Sequence, residues 1–270
     1  MLLASGNSLR DFVDRFVRRT SIRRSPTAWL WFTLALLCLA SPATAGEATF
    51  SSRDTRTALV ELYTSEGCSS CPPAERWINA LEDERGLWHD FIPLALHVDY
   101  WDYIGWPDRF AKPEYAKRQR QYAAEGGARV VYTPGMFVNG EEWLGWRRGD
   151  LDVDTDTMPG VLSLSVINND VAVHFAPAVA TTDSLRVNIA LVGMGLETEV
   201  RAGENKGRKL EHDFVALNVQ SVALENSAAG YKAITELPQS DIESNRYAVV
   251  AWVTNGKTQA PIQAVGGYLP

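Results

Sequence analysis

Residues 58–73 read ALVELYTSEGCSSCPP, and the organisation of the whole chain follows from them. They open with an apolar run rich in strand-forming residues, which predicts a buried β-strand, and the composition turns helical from Ala74 onward. The stretch therefore brings Cys68 and Cys71 to the start of a helix. Free N–H groups and the positive end of the helix dipole stabilise a thiolate there, and the thiolate is the form of cysteine that attacks a disulfide. The spacing is typical of a redox-active Cys-x-x-Cys pair.

The first 45 residues have the pattern of an export signal. A positively charged segment precedes an apolar run over 28–40, and a small-x-small cleavage site follows at Ala43-Thr44-Ala45. Those 13 apolar residues are fewer than the roughly 18 to 20 that span a bilayer, so we expect no stable membrane span after cleavage. Arg18-Arg19 also fits a twin-arginine signal, but the residues after it match poorly, which favours a Sec-type signal. The mature protein is expected to begin near Gly46 and to be periplasmic or secreted.

Charge and cysteine content narrow the function further. Cleavage would remove six arginines and two aspartates, which takes the formal charge from −7 to −11. A chain this acidic is a poor binder of nucleic acid. Cleavage would also remove Cys38 and leave Cys68 and Cys71 in a compartment where disulfides persist. Because cysteines three positions apart close a very short loop, their disulfide would stabilise the fold little, which favours a redox role over a structural one.

Strand and helix patterns alternate between residues 46 and 152. The predicted elements are a strand over 58–64, a helix over 74–84, a strand over 91–98, an aromatic loop over 100–106 and a helix over 113–125. Pro134 stands at the mouth of the next strand, where a cis bond after Thr133 would put backbone beside the cysteines. Asn139-Gly140 is a strong hairpin signal. Residues 46–152 are therefore predicted to form an α/β domain with the aromatic loop as an insertion.

From residue 153 to 270 the pattern changes to short β runs separated by turn signals. The main predicted strands are 161–167, 171–175, 185–192, 212–217 and 247–253. This pattern predicts a β-rich, sandwich-like domain. The aspartate-rich segment 150–156 is the predicted junction between the two domains.

These motifs together resemble the thioredoxin superfamily. The resemblance rests on Val60-Glu-Leu-Tyr63 before Cys68-Ser-Ser-Cys71, on Thr133-Pro134 before an apolar strand, and on Asn139-Gly140. More narrowly, Cys-Ser-Ser-Cys-Pro-Pro-Ala, His97-Val-Asp-Tyr-Trp-Asp-Tyr-Ile-Gly-Trp106 and Gly203-Glu-Asn-Lys-Gly-Arg208 resemble a family of secreted bacterial proteins known as a domain of unknown function with a thioredoxin-like fold. The fold class implied is an α/β, thioredoxin-like domain followed by the β-rich sandwich-like domain.

The resemblance also implies roles for four residues. Cys68 would be the attacking thiolate, Cys71 the resolving thiol and Pro134 the cis-proline, while Glu61 would be the buried acid that shuttles a proton to Cys71. The chain departs from the pattern in two places. Glu61 lies seven residues before Cys68, one more than usual, and Pro72-Pro73 occupies the first helical turn, where Pro73 would remove an early hydrogen bond if Cys68 capped the helix.

The aromatic loop suggests a place for a substrate. Trp101 and Trp106, with Thr133 beside the cis-proline, are predicted to wall a hydrophobic groove next to the cysteines, although packing between the two domains would explain the same aromatic residues. A second aromatic pair, Trp143 and Trp146, follows the hairpin. The polar segment 203–208 is predicted to be a solvated turn or a contact for an acidic partner.

The sequence thus predicts an exported thiol–disulfide oxidoreductase that acts on an exported protein substrate or redox partner. It predicts no cofactor, no resident metal and no nucleic-acid partner. The alternative is a non-catalytic module that senses redox state or binds a partner. A third, weaker hypothesis is a copper metallochaperone, in which His97 and Asp99 would join the cysteines in a copper or zinc site.

Overall fold

The computed structural model describes residues 46–149, 151, 153 and 156–270. The predicted export signal and part of the predicted junction lie outside the described residues. Among the described residues, no helix combines the length and the apolar character needed to cross a bilayer.

The described residues form many strands and few helices. The helices are α1 (Pro72–Ala80) and α2 (Pro113–Glu125), with 3₁₀ turns at Leu81–Asp83, Asp99–Ile104 and Gly145–Arg148. The strands are β1 (Glu47–Ser51), β2 (Ala58–Thr64), β3 (Phe91–His97), β4 (Gly135–Val138), β5 (Glu141–Glu142), β6 (Gly160–Ile167), β7 (Asp170–Pro177), β8 (Leu185–Met194), β9 (Leu196–Glu199), β10 (Lys209–His212), β11 (Val215–Ala223), β12 (Glu225–Ser227), β13 (Gly230–Glu236), β14 (Arg246–Asn255) and β15 (Pro261–Tyr268). The limits predicted for β2 and α2 are confirmed.

The largest sheet of the described chain has eight strands in the order β15-β14-β8-β11-β3-β2-β4-β5. β2 and β3 pair in parallel, and β4 lies antiparallel on the other edge of β2. Every residue of β2 and β3 is buried, as expected for parallel strands covered on both faces. On its far edge β3 pairs in parallel with β11, where the amide of Ala95 donates to the carbonyl of Phe214 at 2.8 Å.

A second sheet, ordered β1-β6-β7-β13-β12, packs on one face of the first. Successive side chains of β8 point alternately into two different cores. Val187 and Ile189 face the second sheet, while Ala190 and Val192 belong to the core that includes both helices. β14 divides in the same way, so the middle of the eight-stranded sheet is covered on both faces.

The predicted fold class is therefore wrong. The protein is β-rich throughout, with 44% of the described residues in strands and 16% in helices, in place of an α/β, thioredoxin-like domain followed by a β-rich sandwich-like domain. Strands predicted to lie in an α/β domain (β2, β3 and β4) share one sheet with β8, β11, β14 and β15. Hydrophobic periodicity identifies each strand, but it does not say which strand edges pair across 120 residues of sequence, and that pairing determines the fold.

Two local predictions concern the cis-proline and the hairpin that follows it in the chain. The Thr133–Pro134 bond is cis, and Asn139 and Gly140 both have positive φ (52° and 91°) between β4 and β5, so the predicted cis-proline and hairpin are confirmed. Helix α1 begins three residues later than a cap at Cys68 would place it, because Cys71 is its N-cap and the two prolines take the first two helical positions. Their missing N–H groups would have no helical partner there, so the proline pair does not disturb the helix.

A buried ion pair holds α2 against the sheet. The carboxylate of Glu61 on β2 is fully buried and accepts from Nε of Arg118 on α2 at 2.7 Å. The hydroxyls of Tyr122 and Tyr63 donate to the same carboxylate at 2.5 and 3.2 Å. Each oxygen of this buried acid is thus hydrogen-bonded, which offsets the cost of removing the charges from water.

We expect Arg118→Met to lower the free energy of unfolding by about 3–5 kcal/mol, because it leaves a buried carboxylate without its charge partner. Arg53→Met is the matched control, since its pair with Asp90 is 59% and 41% exposed and should contribute no more than about 1 kcal/mol. Urea denaturation followed by circular dichroism measures both. Equal losses in the two variants would contradict this account of α2.

Candidate functional site

The cysteines lie in the short loop that leaves the carboxyl end of β2 and enters α1. The amide of Cys68 donates to the carbonyl of Ser65 at 3.1 Å, and the amide of Cys71 donates to the carbonyl of Cys68 at 3.2 Å. Both cysteines are free thiols and only 1% exposed. The loop therefore holds two thiols side by side at the edge of the parallel strands.

The two thiols have opposite acidity. A hydrogen bond from the Cys71 thiol, assisted by the Ser70 hydroxyl 3.2 Å from Sγ, lowers the pKa of Cys68 to about 6 although burial opposes the shift. Burial raises the pKa of Cys71 well above its ordinary value, and the neighbouring Cys68 raises it further. At neutral pH the pair consequently holds one thiolate, on Cys68, and one thiol, on Cys71.

The cis-proline segment lies against the Cys68 thiol. The Sγ of Cys68 is 3.8 Å from the carbonyl oxygen of Thr133, the residue before Pro134. The indole N–H of Trp101 donates to the Thr133 hydroxyl at 2.7 Å. The structure thus brings Cys68, Cys71, Thr133, Pro134 and Trp101 together, as the sequence predicts.

The remaining aromatic residues lie in three environments. Trp106 donates from Nε1 to the carboxylate of Glu66 at 2.7 Å. Trp143 packs on Trp77 of α1 with ring centroids 5.2 Å apart, and since both residues belong to the predicted first domain, this contact is not packing between two domains. Tyr103 is 83% exposed. A groove for substrate along Trp101 and Trp106 stays a prediction.

Glu61, the predicted proton shuttle, is not brought to the cysteines. Thr64, three residues along β2, contacts Cys71 on the face that carries α1. Residues three apart in a strand point to opposite faces, so Glu61 faces α2, where Arg118 holds it. The sequence signal for this difference is that Glu61 lies seven residues before Cys68, one more than usual.

A hairpin loop from the distant β9–β10 segment clamps the cysteine loop, and we call residues 200–208 the clamp loop. The side-chain amide of Asn205 is fully buried and donates to the carbonyls of Glu66 and Cys68 at 2.8 and 2.9 Å. The carboxylate of Glu204 accepts from the amide of Ser69 at 3.0 Å. The sequence predicts a solvated turn or a contact for an acidic partner over 203–208, whereas the structure places these residues against the cysteine loop. The buried Asn205 pairs the carbonyl of Glu66 and gives the carbonyl of Cys68, which already accepts from the amide of Cys71, a second donor.

A buried cluster of acids and histidines lies behind the cysteine loop, and the sequence does not predict it. His97 contacts Asp108 at 2.7 Å between Nδ1 and Oδ2, and His212 contacts Glu75 at 3.0 Å between Nδ1 and Oε2. Burial opposes charge here, yet attraction to Asp108 raises the pKa of His97, and attraction to Glu75 raises the pKa of His212 to about 10. The carboxylates therefore favour positive charge between them. His97 lies here and not with Asp99 in the predicted copper or zinc set.

We expect the alkylation rate of Cys68 in the reduced protein to rise with pH through a midpoint near 6, because the thiolate is the reactive form. Cys71→Ala should move the midpoint upward most, and Ser70→Ala should move it upward less, since each removes a hydrogen bond to the thiolate. Ser69→Ala, next to Ser70 and equally exposed, is the control and should leave it in place. Peptide-resolved mass spectrometry after brief iodoacetamide treatment measures all four proteins. A midpoint near that of an ordinary cysteine in the unchanged protein would refute the assignment.

Comparison with known proteins places the chain in a family. Residues 59–254 match the model of a family described as "Protein of unknown function (DUF1223)". Among solved structures, the chain is similar to protein AGR_C_4864 from Agrobacterium tumefaciens, with 25% sequence identity, a TM-score of 0.58, and coverage of 80% of this chain and 95% of that one. It is also similar to HBP35 of Porphyromonas gingivalis in fold alone, with 15% identity, a TM-score of 0.52, and coverage of 80% and 76%. No curated protein matches it. Since the family match spans most of the chain, this protein belongs to the DUF1223 family.

Proposed function

We propose that this protein is an exported thiol–disulfide oxidoreductase that exchanges disulfides with other exported proteins. The observation that carries the proposal is the unequal acidity of the two thiols, with the pKa of Cys68 near 6 and that of Cys71 raised. The proposal draws on the resemblance of the Cys-x-x-Cys motif and the cis-proline to those of the thioredoxin superfamily. It concerns the chemistry of the site and not the overall fold.

The exchange proceeds in two displacements. The Cys68 thiolate attacks one sulfur of a substrate disulfide, so that a mixed disulfide forms and the other substrate sulfur leaves as a thiolate. Cys71 then gives its proton to that departing thiolate and attacks Sγ of Cys68. The substrate sulfur that was bonded to Cys68 then leaves as a thiolate and takes a proton from water. Two electrons have passed to the substrate, and the reverse sequence oxidises a substrate dithiol.

The hydrogen bonds at Cys68 favour the reverse direction, in which the protein oxidises a substrate dithiol. They stabilise the thiolate, which exists only in the reduced protein, and so make the Cys68–Cys71 disulfide easier to reduce. A disulfide that is easily reduced oxidises substrate dithiols well. We infer that the protein donates disulfides and that a separate redox partner reoxidises it.

Equilibration with glutathione buffers should place the reduction potential of the pair between about −230 and −120 mV, the range of proteins that donate or rearrange disulfides. Cys71→Ser should accumulate mixed disulfides with substrate because the resolving thiol is gone, whereas Cys68→Ser should form far fewer. A potential below about −300 mV would identify a structural disulfide and favour the non-catalytic binding module.

The apolar surface beside Trp101 gives a second test, which concerns the substrate. Tyr103 is 83% exposed, and it lies two residues from the tryptophan that binds Thr133. We expect Tyr103→Ser to slow disulfide exchange with a folded protein such as insulin several-fold while leaving exchange with glutathione disulfide unchanged, because only a large substrate covers this surface. Ile167→Ser, on β6 and 46% exposed, is the control. Equal slowing with both substrates would argue against a protein-binding role for Tyr103.

A further inference from the structure

Three donor side chains converge behind the cysteine loop from three different elements. Glu75 comes from α1, His97 from the end of β3 and His212 from the end of β10, and one donor atom of each lies within 4.8 Å of the other two. Their exposed fractions are 5%, 0% and 1%. The thiol chemistry proposed above assigns no task to these three residues.

Within the described structure, one ring nitrogen of His97 is left without a hydrogen bond beside the Glu75 carboxylate. Because Nδ1 of His97 contacts Asp108 at 2.7 Å, that carboxylate holds the Nδ1–H and leaves Nε2 free to donate a lone pair. This Nε2 is buried, has no hydrogen-bond partner among the described residues, and lies 4.0 Å from the Glu75 carboxylate. The Nε2 of His212 lies 3.4 Å from Oε1 of Glu66, and its Nδ1 lies 3.0 Å from the Glu75 carboxylate. Buried polar atoms without partners are rare, so the Nε2 of His97 beside the Glu75 carboxylate indicates a missing ligand.

The charge of the cluster points to a cation. Three buried carboxylates, those of Glu66, Glu75 and Asp108, surround the two imidazoles. In the described part of the chain, no lysine or arginine forms a hydrogen bond or an ion pair with these carboxylates. The positive charge they require is therefore supplied either by protons on the imidazoles or by a metal ion.

We propose that Glu75, His97 and His212 bind a divalent transition-metal ion of the Zn²⁺ class, with Asp108 orienting His97. Two imidazoles and one carboxylate are a donor set that Zn²⁺ accepts, and a carboxylate behind a ligating histidine is the usual support. Bonds of about 2.1 Å place tetrahedral donors about 3.4 Å apart. The present separations of up to 4.8 Å close to that distance by movements of about 1 Å, within reach of side-chain rotation.

The position of the site determines what the metal would do. A cleft of about 510 Å³ lined by Glu75, His212, Asn79 and Lys209 leads to it from the surface. The ion would join α1, β3 and β10, and β10 follows directly on the clamp loop that covers Cys68. The metal is therefore a structural cross-link that holds the clamp loop over the cysteines.

The test uses the protein with Cys68→Ser and Cys71→Ser, so that no thiolate can bind metal. After chelator treatment and dialysis, calorimetric titration with Zn²⁺ should show one equivalent bound and a raised Tm. Co²⁺ should give intense visible bands of tetrahedral N and O coordination without a thiolate charge-transfer band. His97→Gln and His212→Gln should each weaken Zn²⁺ binding at least 100-fold, and Asp108→Asn should weaken it 10- to 100-fold. His174→Gln on β7 is the control and should bind normally.

Two results would overturn the proposal. One is the absence of saturable Zn²⁺ binding to the Cys68→Ser, Cys71→Ser protein, which would mean that protons supply the charge. The other is binding that His97→Gln and His212→Gln leave unchanged, which would place the metal elsewhere. If those two variants fail to fold, the Co²⁺ spectrum of the parent protein and the affinity of Asp108→Asn decide the question.

Discussion

The parallel pairing of β2, β3 and β11 is the constraint on which the rest of the structure depends. Parallel strands require cover on both faces, and in this protein α1 packs on one face of β2 and α2 on the other. The carboxyl ends of β2 and β3 meet at one edge of the sheet, so the cysteine loop and His97 lie close together there. Because β11 continues the same sheet, the segment that precedes it in the chain is also brought to this edge. The site is thus built from residues as far apart in the chain as Cys68 and Asn205, which are 137 positions apart.

Burial of the cysteine loop explains why the clamp loop is needed. A loop at the edge of a sheet leaves backbone carbonyls without strand partners, and burying them unpaired costs about 1–3 kcal/mol each. Asn205 satisfies the carbonyl of Glu66 in this way and gives the carbonyl of Cys68, which also accepts from the amide of Cys71, a second donor. Within this loop, burial raises the pKa of Cys71, while hydrogen bonds from Cys71 and Ser70 lower that of Cys68.

Two kinds of buried charge lie on opposite sides of β2. On one side, Glu61 meets Arg118, an arginine whose planar guanidinium pairs with a carboxylate through several hydrogen bonds. On the other side, Glu75 meets two histidines, which can hold either a proton or a metal ion. The first arrangement is a permanent ion pair that fastens a helix. The cluster of Glu75 and the two histidines can exchange a proton for a metal ion. Ligand binding can therefore act on the structure at this cluster and not at Glu61.

The sequence by itself determined the local features of this protein. Residue type and spacing over a few positions are enough to predict strand β2, helix α2 and the Asn139-Gly140 hairpin, because backbone geometry and short-range patterning set them, whereas the cis bond before Pro134 is implied by the family resemblance. Only the tertiary structure decided how the strands join. It added β11 to the edge of β3, turned Glu61 away from Cys71, and placed Asn205 and His212 against the cysteine loop. These are contacts between residues far apart in the chain, and periodicity carries no information about which strand edges and loops meet when the whole hydrophobic core closes.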